Sequence, residues 1–285
     1  MNQLVREFRA GVLSLTPLTP TIGAEVSGID LSEPQDAGTL SHLRGALLDW
    51  KVLFFRDQDI TTEQHLAFAR AFGDLEVHPF APSKPGYPEV LAITHNENSK
   101  GRENIWHSDV TWRERPSLGS ILRAVEVPPV GGDTLFSDMY AAYDGLSDEV
   151  KARVEGRVAV HDFAHFRRGL VKAGKTPQEI ESFNRAYPMV EHPVIRTHPE
   201  TGKRAIYVNA AFTQHIVGLD KDESDALLAH LYAQAAIPEY QCRFRWSANA
   251  MAFWDNRSSQ HYAASDYFPA VRRMERVTIM GDRPV

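Results

Sequence analysis

The chain has 285 residues, with 31 Lys plus Arg against 37 Asp plus Glu, and this net charge of −6 lacks the basic excess of a nucleic-acid binder. Its one cysteine, Cys242, excludes an intrachain disulfide and any cluster built on several thiolates, and fits a reducing cytoplasm. No apolar run approaches the roughly 18 residues of a membrane span, and Met1–Pro20 fails as a signal peptide because Arg6, Glu7 and Arg9 precede only a short apolar stretch broken by Ser14 and Pro17.

In chain order, the pattern predicts a helix over Gln35–Trp50, with Leu40, Leu43 and Leu47 on one stripe, and a strand at Lys51–Phe55. A second helix over Thr62–Phe72 is closed by Gly73, and strands follow at Val90–Thr94, Ser120–Val125 and Thr134–Ser137. Thr176 with Pro177 opens a helix to Ala186; strands at Val190–Arg196 and Ala205–Asn209 come next. The acidic Asp220–Ser224 stretch opens a helix to Ala235, and Met251–Trp254 and Arg272–Met280 read as strands. Strands outnumber helices, so the expected fold is mainly β with peripheral helices, an antiparallel sandwich or barrel. No repeat or linker-like tract divides the chain, so residues 1–285 read as a single domain, with Met1–Leu15 as a loosely ordered N-terminal extension.

With 12 histidines and one cysteine, any metal chemistry here is imidazole and carboxylate chemistry. An open mononuclear iron site needs two imidazoles and a carboxylate on one face of the metal, and a His-x-acid triplet supplies two of these because residues i and i+2 of an extended segment point the same way. Three such triplets occur. His198-Pro199-Glu200 reads as an exposed hairpin turn, and His95-Asn96-Glu97 opens a polar surface loop. His107-Ser108-Asp109 alone is wrapped in bulky apolar residues, Ile105, Trp106, Val110 and Trp112, where a buried carboxylate wants a cation. A structural His–Asp hydrogen bond explains that triplet equally well. Context narrows a third ligand to His261, on a return strand after the Asp255-Asn256 turn. On Arg272–Met280, Arg272 and Arg276 share a face about 13 Å apart at about 3.3 Å per residue, placed either to hold two anions around one centre or to face water.

The stretches Ile22–Gly28, Phe72–Pro79, Trp106–Thr111, Gly131–Thr134, Trp254–Arg257, Gln260–Tyr262 and Arg272 to Asp282 together resemble the taurine dioxygenase family of Fe(II)- and 2-oxoglutarate-dependent oxygenases. The resemblance implies a double-stranded β-helix, or jelly-roll, core with His107, Asp109 and His261 on iron. It implies that Arg272, eleven residues after His261, pairs with the far carboxylate of 2-oxoglutarate while the Thr134 hydroxyl supports it. A guanidinium fork matches a carboxylate in two parallel charge-assisted bonds that Lys cannot reproduce. O2 is the third reactant, and an acidic ligand at Asp109 leaves no position for halide, so hydroxylation is implied over halogenation.

For the substrate, the resemblance implies a sulfonate held by His78, the Val110 amide and Arg276. A C–H next to the sulfonate is hydroxylated and the product collapses to an aldehyde and sulfite. Two positions depart from the taurine pattern: Ala81 stands where a Tyr is found, and Glu103, or Asn104 across a one-residue insertion, stands where an Asn is found. Glu103 is expected to face water, the other reading being that it pairs with a substrate ammonium, and Phe163, Phe166 and Phe212 are candidates for the pocket wall. Rival substrates are an alkyl sulfate ester, a longer sulfonate or a phenoxy carboxylate. Rival classes are a zinc hydrolase on the same three residues and a non-catalytic jelly-roll binding protein. The family habit implies a homo-oligomer, a dimer or tetramer, with no nucleic-acid or membrane partner.

Overall fold

The structure is a computed structural model, and residues 13–285 are described. Its major sheet runs in the order Ser14–Pro17, Ala24–Ser27, Val52–Phe55, Met251–Asp255, Ser117–Glu126, Arg272–Met280, Tyr87–His95 and Ser83–Lys84. Every neighbouring pair is antiparallel except Ala24–Ser27 with Val52–Phe55. A minor sheet, Gln241–Phe244, Thr134–Asp138 and Ser259–Ala263, lies against it. Neither sheet closes into a barrel among the described residues.

Alternation along the central strands builds two cores. Val52–Phe55 is buried at every position. Leu53 and Phe55 pack on one side with Ile121, Met251, Phe253, Val277 and Ile279, under the helices Ala37–Trp50 and Thr62–Arg70. Val52 and Phe54 point the other way, with Leu122, Ala124, Ala252, Trp254 and Met274, and meet Phe136, Cys242 and Phe244 of the minor sheet. Phe54 stacks on Phe244 at 4.0 Å between ring centroids. Each large side chain so buried contributes on the order of 1.5–3 kcal/mol. The jelly-roll expectation is therefore met as two facing layers with helices outside.

Several boundaries differ from expectation for local reasons. Asp36 caps the first helix by accepting from the Thr39 amide, so it starts at Ala37. A Thr61–Gln64 capping box starts the second, which stops at Arg70. The expected strand Val190–Arg196 is two strands, Val190–Pro193 and Ile195–Thr197, in different sheets. The helices Met139–Asp144 and Asp148–Val154 are short, and Ala164–Lys172 starts without a capping side chain, so they do not stand out in the sequence. Of the expected N-terminal extension, residues 1–12 lie outside the described residues, whereas Ser14 and Leu15 already pair with Ser27 and Val26. No helix among the described residues is long and apolar enough to cross a membrane.

Candidate active site

The minor sheet and the loop after Gly101 bring His107, Asp109 and His261 together. One ligand atom from each lies within 4.8 Å of the others, and all three residues are buried. His107 Nδ1 donates to the Ile105 carbonyl at 2.8 Å, which leaves the Nε2 lone pair facing inward. From Asp109 Oδ1 to His107 Nε2 is 3.7 Å and to His261 Nε2 is 3.8 Å. These spacings are too long for hydrogen bonds, so the structural His–Asp bond is not made. Three converging donors held apart in this way suit a cation. Asp109 Oδ1 pairs with Arg276 Nη1 at 2.8 Å, and Oδ2 accepts from Ser120 Oγ at 3.3 Å. Burial opposes ionisation of Asp109, but Arg276, His261 and His107 outweigh it and hold the carboxyl well below the usual range. Burial, with His107 adding to it, takes His261 down to about 3, so both imidazole and carboxylate are in their ligating forms near neutral pH.

Val110, the next residue, has φ 49°, a left-handed backbone that a β-branched side chain adopts only at a cost on the order of 1–3 kcal/mol. It lies between Asp109, whose main chain is held by Asn256, and Thr111, whose hydroxyl bonds Asn209 and His161.

Behind His261 a buried charged group organises the turn that leads into its strand. Asp255, fully buried, accepts from Arg257 Nε at 2.9 Å and Nη2 at 2.7 Å, and from His198 Nε2 at 3.1 Å. His198 therefore corrects the sequence reading: the hairpin turn exists, but the histidine is 1% exposed, and its Nδ1 accepts from the amides of Glu200 and Thr201. His95 is a second correction. It ends the strand Tyr87–His95, is buried opposite Arg272, and its Nε2 lies 3.3 Å from Glu103 Oε2. Glu103 itself is exposed, as expected, with one carboxylate oxygen beside His95.

Arg272 is 4% exposed, and its Nε and Nη2 have no hydrogen-bond partner among the described residues. A buried guanidinium edge left open costs roughly 1–3 kcal/mol per unmet donor, and a carboxylate from a ligand removes that cost. Gly132 packs on it: with φ 74°, a Cβ there would sit 3.2 Å from Arg272 Cδ and 3.3 Å from Nε. Thr134 Oγ1 accepts from Trp246 Nε1 at 3.0 Å, and since indole only donates, the threonine proton remains available to an anion.

A cavity of about 520 Å³ is lined by His107 and Asp109 together with His78, Val110 and Arg276. His78 Nδ1 accepts from the amides of Phe80 and Ala81 at 3.2 and 3.1 Å, so the proton of the neutral ring is on Nε2, a donor. Burial, helped by Arg276 and Arg113, takes His78 down to about 3 and keeps it neutral. Leu91, Ile93, Ala81, Phe166 and Phe212 give the walls an apolar character, with Glu103, Asn104 and Arg168 further out. Phe163 is fully buried against Phe80 and does not line the cavity.

The model of the taurine catabolism dioxygenase TauD, TfdA family matches residues 14–278. The chain belongs to this family. Among TauD, TfdA relatives, an alkylsulfatase of Acinetobacter baylyi is 37% identical over 277 residues, covering 95% of this chain and 86% of that protein. An alpha-ketoglutarate-dependent sulfate ester dioxygenase of Pseudomonas putida is 36% identical, covering 96% and 91%. The crystal structure of a taurine dioxygenase from Burkholderia xenovorans superposes with TM-score 0.82 at 40% identity, covering 96% and 91%. This TauD, TfdA chain is therefore a dioxygenase that uses Fe(II), 2-oxoglutarate (alpha-ketoglutarate) and O2. Its converging His107, Asp109 and His261 fit the metal, and the open edge of Arg272 fits the co-substrate. A zinc hydrolase or a non-catalytic binding protein would leave that buried edge without a role.

Proposed function

We propose that His107, Asp109 and His261 hold Fe(II), that Arg272 and Thr134 receive the distal carboxylate of 2-oxoglutarate, and that His78, the Val110 amide and Arg276 receive the anionic group of an organosulfur substrate. The observation that carries this reading is His78: two amides fix its Nδ1 as an acceptor, so Nε2–H is a neutral donor in the same cavity as Arg276 and Asp109. When bound, iron, 2-oxoglutarate and O2 supply the oxidant that puts one oxygen atom into a substrate C–H bond and the other into succinate, with loss of CO2. The chain's own residues fix which C–H is offered, by anchoring the anion beside the metal ligands.

On this reading the substrate is taurine or a related sulfonate. Hydroxylation replaces a C–H bond on the carbon bearing the sulfonate by C–OH; the hydroxyl then loses its proton as C=O forms, the C–S electron pair leaves with sulfite, and an aldehyde remains. An alkyl sulfate ester undergoes the same chemistry at the carbon bearing the ester oxygen and releases sulfate. Ala81 and the apolar walls favour a substrate with an apolar body, and the sulfate-ester relatives support that second form. Ligands drawn from residues 107 to 261 support reading 1–285 as one catalytic domain.

The deciding experiment offers taurine, longer alkyl sulfonates and alkyl sulfates to the Fe(II)-loaded enzyme and follows O2 uptake with sulfite or sulfate release. The expected result is 2-oxoglutarate-dependent release that rises with apolar chain length. Consumption of 2-oxoglutarate with no sulfur anion released from any member would overturn the organosulfur reading.

A further inference from the structure

We propose that Asn256 is a positioning residue of the metal site, whose carboxamide clamps the main chain of Asp109 at two points and thereby aims its carboxylate. This inference rests on Asp109 being a metal ligand. Asn256 is fully buried in the turn between the strands Met251–Asp255 and Ser259–Ala263, the second of which carries His261. Its Oδ1 accepts from the Asp109 amide at 2.6 Å, and its Nδ2 donates to the Asp109 carbonyl at 2.9 Å. Nδ2 also donates to Ser117 Oγ at 3.0 Å and to the Ser117 carbonyl at 3.3 Å.

The orientation of the amide is fixed by these partners. Flipping it would set NH2 against an N–H and an oxygen against two carbonyls. The Asn256 main chain is itself held, its amide donating to the Leu118 carbonyl at 2.9 Å beside the Asp255–Arg257 pair. A side chain so anchored presents one donor and one acceptor to both peptide groups of a single residue, as a neighbouring strand would, and restricts φ and ψ of Asp109 from outside the chain.

Two consequences follow from where the clamp sits. It joins the segment carrying His107 and Asp109 to the turn that feeds His261, so the two halves of the ligand set share one reference point. It also lies immediately before Val110, whose left-handed backbone is tied on the other side by Thr111 to Asn209 and His161. Asparagine alone has this donor and acceptor at this length. Aspartate would set an anionic oxygen against the Asp109 carbonyl, and alanine would leave both peptide groups unpaired in a buried place.

The test is anaerobic titration of the metal-free protein with Co(II), read by its visible d–d bands, alongside thermal unfolding of the same metal-free samples. Asn256→Ala and Asn256→Asp are expected to weaken Co(II) binding by about 10- to 100-fold and to change the band envelope, as loss of a partner behind a ligand does. Ser117→Ala, which removes another partner of the same Nδ2 without touching Asp109, is expected to keep wild-type affinity and bands. Should Asn256→Ala not fold, the isosteric Asn256→Asp carries the comparison. Wild-type Co(II) affinity and bands in a folded Asn256 variant, with only its melting temperature lowered, would overturn the proposal. Asp109→Ala separates the two readings: if it binds Co(II) like the wild type, the ligand assignment itself fails, whatever Asn256 does.

Discussion

The main chains of His107 and His261 hold each other directly: the His107 amide donates to the His261 carbonyl at 3.1 Å, and the His261 amide donates back to the His107 carbonyl at 2.8 Å. This isolated antiparallel bridge sets the two imidazoles 4.2 Å apart between ring centroids, before any metal is considered. The relative placement of these two histidines is therefore set by the backbone.

Asp109→Ala or His261→Ala removes a side chain and leaves that bridge in place, so the fold is expected to survive while metal binding does not. Loss of activity should exceed the roughly 100-fold that removing a mere outer partner costs. Anaerobic Fe(II) with 2-oxoglutarate should give a weak visible charge-transfer band in the wild type and none in either variant; an intact band in Asp109→Ala would refute the assignment.

Arg272→Lys replaces a planar fork with a point charge inside a cleft built for the fork. Losing one charge-assisted hydrogen bond of about 1.5–3 kcal/mol raises the KM for 2-oxoglutarate roughly 10- to 100-fold. Gly132→Ala should act in the same direction, since its new methyl meets Arg272 Cδ and the backbone there has φ 74°. Steady-state kinetics with varied 2-oxoglutarate at saturating substrate checks both; an unchanged KM in each variant would remove Arg272 from the co-substrate site.

Truncating Asp255 leaves His198 Nε2 without its carboxylate and Arg257 with Glu200 alone, at 2.8 Å, in a buried place. Breaking such a group by removing one partner costs on the order of 3–5 kcal/mol. Urea unfolding of Asp255→Ala followed by circular dichroism should show the midpoint fall with little change in slope. A loss within about 1 kcal/mol, the scale of an exposed pair, would mean that the network is not the support described.

Among the buried groups that set acid stability, His65 and Asp255 lie outside the proposed metal and substrate sites and act in different pH ranges. His65 is fully buried, with Nε2 3.2 Å from the Ile121 carbonyl, and burial takes it from 6.5 down to about 3. Below pH 6.5 the unfolded chain binds a proton at this residue that the folded chain does not, so stability falls by roughly 1.4 kcal/mol per pH unit from this group. Asp255 acts lower: burial opposes its ionisation, Arg257 and His198 outweigh that, and its stabilisation is full above about pH 4 and lost as pH falls further. Melting temperatures between pH 7.5 and 5 should fall less steeply for His65→Gln than for the wild type; parallel curves would exclude His65 as the source.

Much of the site was legible in the sequence because its signals are local. His107-Ser108-Asp109 is a triplet, Arg272 and Arg276 share a strand face, and Gly131-Gly132 is a turn. What stayed hidden depends on contacts across long stretches of chain. His198 meets Asp255, His95 lies beside Arg272 across two strands, and Asn256 clamps Asp109. Short-range composition made His95 look like a loop residue and His198 look exposed; the strand register opposite Arg272 puts His95 on a strand, and the bond to Asp255 accompanies the burial of His198. The left-handed Val110 carries no composition signal at all, since valine is disfavoured there.

The proposed ligand set, with Asp109 and His261 on one ion, gives the site a thermodynamic role beyond reactivity. An ion gripping both residues cross-links points separated by roughly 150 residues, and closing so long a loop removes freedom chiefly from the unfolded chain. Metal loading should then act as a reversible staple, raising the melting temperature with ion concentration as a ligand specific for the native state does. Removing the ion would loosen the whole fold and not the site alone.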